Sequence, residues 1–161
     1  MSKVFLTDLV TWALNQKRHR NLAENLIKDF ILWKWSTDYG KEKYKGCPFW
    51  SENAHKQFQK KKSFKGLRHD HIVPRTCLTK LLIEEPNQRK RIQILKVFGC
   101  ACVLTIRENK RLDKKFKSRM PDNWDKKDEW ARYREAFKKT GIKIMRTVGA
   151  NKKPFLHIHS H

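Results

Sequence analysis

Apolar residues recur at helical spacing behind Thr7-Asp8, where Leu9, Val10, Ala13 and Leu14 predict a first helix. A second is predicted from about Asn21 to Trp35, with Leu22, Leu26, Ile27, Phe30, Ile31 and Leu32 on its apolar side. Asp38-Tyr39-Gly40 and Lys45-Gly46-Cys47-Pro48 read as loop, after which Ser51 caps a short helix through Phe58. The run from Lys60 to Lys65 is a basic connector. Pro74 disfavours helix at the residue before it, so Ile72-Val73 is extended. Thr76 to Glu84 and Asn87 to Phe98 have helical periodicity and are divided at Pro86. Ala101 to Thr105 is strand-like, and Thr105 caps a polar helix from Arg107 to Lys115. Past Pro121, Asp125 to Thr140 predicts an amphipathic helix stopped by Gly141, with Trp130, Tyr133 and Phe137 along one side. The pattern predicts one domain over 1–161, mainly α with a small β-hairpin.

Composition decides what such a chain meets. Of 161 residues, 39% are hydrophobic and 11% aromatic, enough apolar material for a core and too much for disorder throughout. Lys and Arg number 38 against 16 Asp and Glu, a net charge of +22. Such a surface attracts polyanions. The cations are spread through Lys17-Arg18-His19-Arg20, Lys60-Lys61-Lys62, Arg89-Lys90-Arg91, Lys114-Lys115 and Lys138-Lys139. That spread suits a phosphate-tracking face, hence a nucleic-acid partner, over a membrane surface. No run approaches the roughly 20 apolar residues of a membrane span, and Asp8 interrupts any signal-peptide core. Cys47, Cys77, Cys100 and Cys102 are too few and too irregular for a disulfide framework. The expectation is a cytoplasmic protein in a reducing compartment.

The candidate chemistry lies in His69-Asp70-His71-Ile72-Val73-Pro74-Arg75. A carboxylate beside a histidine supplies hard oxygen for Mg²⁺ and an imidazole suited to taking a proton from water. In a distorted strand end both reach one phosphate. The segment resembles the first motif of the HNH endonucleases, the His-Me finger or ββα-metal superfamily, and Val103-Leu104-Thr105-Ile106-Arg107-Glu108-Asn109-Lys110-Arg111 is similar to that family's strand-to-helix segment. The likeness covers about residues 66–115. It implies a ββα-metal core there, with an inserted helical pair at 76–98 and a helical, basic frame from 1–60 and 125–140. It also implies a metal-dependent endonuclease that hydrolyses DNA.

By that resemblance His71 is the general base and Asp70 binds Mg²⁺ or Mn²⁺. Asn109 is the helix-borne ligand, or Glu108 one position earlier, and His69 is a second ligand or a substrate contact. Arg75 and Arg111 are phosphate clamps, with Arg68 and Lys110 as further nucleic-acid contacts. The middle Asn of the family name has no match, the region being Cys100-Ala101-Cys102, and 38 positions separate His71 from Asn109. Cutting both strands would call for a homodimer, and a phage or bacterial origin fits the likeness.

Other readings start from the same residues. His69, His71, Cys100 and Cys102 make four potential zinc ligands, but Cys100-x-Cys102 is too tight for a zinc knuckle. No structural zinc is expected, and Cys102 is expected in the core. Leu156-His157-Ile158-His159-Ser160-His161 is expected as an exposed, extended tail. Most of the six Trp are expected in the core, with one or two at a nucleic-acid surface. The alternatives for function are a non-catalytic nucleic-acid-binding protein and an RNA-cleaving, toxin-like nuclease with the same centre.

Overall fold

A computed structural model describes residues 3–36, 43–147 and 154–159, so the loop expected at Asp38-Tyr39-Gly40 lies outside the described residues. The helices are α1 (Lys3–Asn15), α2 (Arg20–Asn25), α3 (Leu32–Trp35), α4 (Glu52–Lys61), α5 (Arg75–Glu84), α6 (Gln88–Phe98), α7 (Ile106–Phe116) and α8 (Ala131–Phe137). A π-helical turn, Leu26–Ile31, joins α2 to α3. The strands are β1 (Phe49–Ser51), β2 (Leu67–His71), β3 (Ala101–Thr105), β4 (Ile142–Arg146) and β5 (Pro154–Ile158). No helix among the described residues is long and apolar enough to cross a membrane.

The strands form one mixed sheet in the order β2-β3-β1-β4-β5, so the class is mixed α/β. Helices predominate as expected, while the small lone hairpin is corrected: β2 and β3 belong to a five-stranded sheet. β1 has three residues, all buried, and carries no alternation to read. β5 is an edge strand where an exposed tail was expected: Ile158 pairs with Ile142 and is buried, while His157 and His159 are exposed, and Ser160-His161 lies outside the described residues.

Strand alternation separates two cores. Phe49, Cys102, Leu104, Ile142 and Ile144 face α7 and α8, meeting Leu112, Trp130, Tyr133 and Phe137. Trp50, Leu67, Ala101 and Val103 face α4 and meet Ala54. A third, helical cluster joins α1, the π turn, α5 and α6 through Leu6, Val10, Ile27, Ile31, Leu78, Leu82 and Leu95. The segment between β2 and β3 is the predicted helix pair, broken at Pro86. Trp35, Trp50 and Trp130 are buried, and Cys102 sits in the core as expected.

The helix expected over 125–140 shrinks to seven residues. Its first turns are lost to local competition: Asp125 Oδ1 accepts from the Lys127 amide at 2.9 Å, and Asp128 Oδ1 from that of Trp130 at 3.0 Å. Short aspartates that bind nearby amides favour turns over helix, and Lys126 takes a left-handed φ of 62°.

β1 and β3 are parallel neighbours, and each runs straight into a helix. One carboxylate closes both junctions. Glu108 Oε2 accepts from the Thr105 amide (2.8 Å), the Thr105 hydroxyl (2.8 Å) and the Ser51 hydroxyl (2.7 Å), while Oε1 accepts from Asn53 Nδ2 (3.0 Å). Ser51 and Thr105 in turn cap α4 and α7 by accepting from the amides of Ala54 and Glu108. Glu108→Ala is expected to strand these donors in a buried site and to cost about 2–4 kcal/mol. Urea denaturation checks this; a loss below about 1 kcal/mol would mean that the donors find other acceptors.

Candidate active site

β2 is the outer strand of the sheet and pairs with β3 without a break, Asp70 opposite Cys102 and His71 opposite Ala101. The ladder continues as the Ile72 amide donates to Cys100 O at 3.0 Å. The strand end is therefore regular where a distortion was expected, and alternation separates Asp70 from both histidines. Asp70 lies on the α7/α8 face; His69 and His71 lie on the other, with ring centroids 5.3 Å apart. Because β2 is an edge, one cavity of about 430 Å³ still takes in all three. Lys28, Lys43, Arg75 and Lys117 also line it, together with Trp33.

Asp70 is held by two side chains that the sequence pattern presented as part of a core stripe or passed over. Tyr133 OH donates to Asp70 Oδ2 at 2.6 Å, and Arg132 Nη2 donates to the same oxygen and to His71 O. Arg132 Nε reaches Ile72 O at 2.7 Å and Nη1 reaches Phe116 O at 2.9 Å. The guanidinium is buried, which works against its charge, yet Asp70, Tyr133 and Asp113 outweigh burial and raise its pKa above the ordinary value. The available signal was an arginine beside the apolar Trp130-Tyr133-Phe137 stripe, a position that only a paired charge tolerates.

The two histidines are different. Nε2 of each is buried and has no hydrogen-bond partner among the described residues. Burial, followed by the charges of Arg75, Arg132 and Lys43, pulls the His71 pKa down to about 3. Burial, followed by His71 and Lys43, brings His69 to about 3 as well. Both are neutral imidazoles near pH 7. Ala101, across from His71, offers it only a methyl group.

The remaining candidates divide between this cavity and other positions. Arg75 lines the cavity, but its Nη1 is partly engaged by Lys28 O (3.0 Å), on the π turn, and by Asp29 (3.2 Å). Asn109 is on α7, and its amide donates to Asp113 Oδ2 at 2.6 Å. Glu108 is spent on the two helix caps. Arg111 lines a different cavity, and Arg68 and Lys110 are exposed. Lys28, Trp33, Lys43 and Lys117 are cavity residues that sequence reasoning did not single out.

Among the described residues no three His, Cys, Asp or Glu side chains gather as a metal-holding group. Magnesium does not require such a group, since it is commonly held by one or two carboxylates, water and substrate phosphate. The donor set fits that habit through one atom: Asp70 Oδ1 takes no hydrogen bond from any described residue, while Oδ2 is fixed.

No family model, no curated protein and no solved structure matches this chain.

Tyr133→Phe removes one of the two donors on a charged carboxylate and is expected to cost about 1.5–3 kcal/mol. Arg132→Ala leaves Asp70 largely unpaired and is expected to cost about 3–5 kcal/mol. Equilibrium denaturation of both variants checks the assignment, and losses under about 0.5 kcal/mol would contradict it.

Proposed function

We propose that the protein is a metal-dependent endonuclease of the HNH type that hydrolyses phosphodiester bonds in DNA at the cavity around His71. The observation that carries this reading is the pair of imidazoles of His69 and His71, which line a cavity ringed by cations and whose buried Nε2 atoms have no hydrogen-bond partner among the described residues. An unsatisfied buried nitrogen costs about 1–3 kcal/mol, and catalytic groups are among the few that warrant such a cost. The antiparallel β2 and β3 followed by α7, with Asp70 on the α7 side, support a ββα-metal core.

In this mechanism Lys28, Lys43, Arg75 and Lys117 hold the scissile phosphate, and His71 takes the proton of the attacking water. Asp70, clamped through Oδ2, would hold the metal through Oδ1. A bound Mg²⁺ or Mn²⁺ supplies Lewis-acid stabilisation of charge on the phosphate and the leaving oxygen. Arg132 and Tyr133 are positioning residues, since they act through Asp70.

The test is plasmid cleavage in Mg²⁺ and Mn²⁺, with EDTA and His71→Ala controls and an RNA arm. Expected are nicked or linear plasmid, none with EDTA, and a loss of about 10²–10⁴-fold in rate for His71→Ala with DNA binding retained. Protein that leaves DNA intact in every metal, or a His71→Ala variant that cuts as the parent does, overturns the reading. Cleavage of RNA alone would overturn the choice of substrate.

A further inference from the structure

A second cavity, of about 930 Å³, lies at the other end of β2, between α4 and the first turns of α7. Lys61, Lys65, Arg107 and Arg111 line it, all four exposed. None is paired with a carboxylate among the described residues, in contrast to Lys56 and Lys143, which share Glu52. Its one acidic lining residue is Glu108, buried and committed to Ser51, Asn53 and Thr105. Four unpaired cations around a concave surface repel one another, and that arrangement is stabilised by a polyanion.

The location matters as much as the charge. Leu67 sits opposite Thr105 at the groove end of β2, and His71 opposite Ala101 at the histidine end. Four residues of strand separate them, about 13 Å. Arg68, exposed on β2, stands between the two ends. One strand of duplex carries a phosphate per about 3.4 Å of axis, so about 13 Å corresponds to roughly four base pairs.

We infer that this groove is a flank-binding site for duplex DNA. Lys61, Lys65, Arg107 and Arg111 grip backbone about four base pairs to one side of the phosphate in the His71 cavity, and Arg68 bridges the interval. The inference rests on the nuclease reading for what occupies the far end of the track. It assigns the groove no part in chemistry: the contacts are to phosphate, so they set affinity and register and leave sequence unread.

The experiment measures binding of labelled DNA duplexes in EDTA by fluorescence anisotropy over a range of salt, so that no cleavage enters the readout. Lys61→Glu/Arg107→Glu is compared with Arg89→Glu/Lys90→Glu, which changes net charge equally at the start of α6. The groove reversal is expected to weaken binding at least tenfold and to lower the salt slope by about two, one for each lost phosphate contact. The α6 reversal is expected to weaken it no more than about threefold. Lys61→Gln/Arg107→Gln provides a milder variant with the same direction of effect. Equal losses in the two charge reversals, or an unchanged affinity and slope in both groove variants, overturn the inference. With the cleavage-competent parent, duplexes trimmed below about four base pairs on one side of the cut should show a raised KM, and the groove reversal should erase that asymmetry; symmetric dependence on the two flanks contradicts it. A parent protein that cuts nothing defeats the nuclease reading, while the anisotropy result still decides the groove.

Discussion

The guanidinium of Arg132, on α8, ties the end of β2 and the end of α7 to one point. It donates to Asp70 and to His71 O on β2, to Ile72 O just beyond it, and to Phe116 O at the end of α7. Phe116 O is one of the carbonyls a helix leaves unpaired at its C-terminus, so the same group that fixes the acidic side chain also finishes a helix. A buried ion pair gains little net stability, because desolvation consumes most of the attraction. What it supplies here is geometry: a cation with four acceptors in fixed directions holds the strand end, and with it the backbone of His71, against α7 and α8.

That constraint explains how adjacent residues serve one cavity from opposite faces of a strand. Asp70 is drawn toward α8 and loses the use of Oδ2, whereas His69 and His71 are left side by side with Nε2 atoms that no described residue partners. An interior strand would put these groups into separate compartments. On the outer strand of the sheet the two faces meet solvent along a common edge, and the cations of the π turn, α5 and the end of α7 gather there. The net charge of +22 thus has local structure, with one concentration at each end of β2.

Features set by neighbouring residues were legible without coordinates. Ser51 and Thr105 announce helix starts by their own chemistry, Pro86 divides α5 from α6, and Cys102 alternates into the core. The sheet was not legible, because β4 and β5 become strands by pairing with partners distant along the chain, and five-residue segments carry too little pattern to show it. The truncated start of α8 depended on aspartates competing for amides, against a helical apolar stripe that pointed the other way. At the site, His69, Asp70, His71 and Arg75 were found from one motif. Arg132 was not, since its place beside the apolar stripe signals a paired charge without naming the partner, a carboxylate 62 residues away. Glu108 and Asn109 were adjacent candidates for a single role, and the capping box gives Glu108 a structural one.

The central claim, that a phosphodiester sits against the paired imidazoles, is tested most directly by ¹⁵N NMR of the histidine side chains. A duplex carrying a non-hydrolysable linkage at its centre is added to the protein. The claim requires the Nε2 resonances of His69 and His71 to shift while those of His157 and His159 stay in place. Saturating DNA binding that leaves the His69 and His71 resonances unmoved would contradict it.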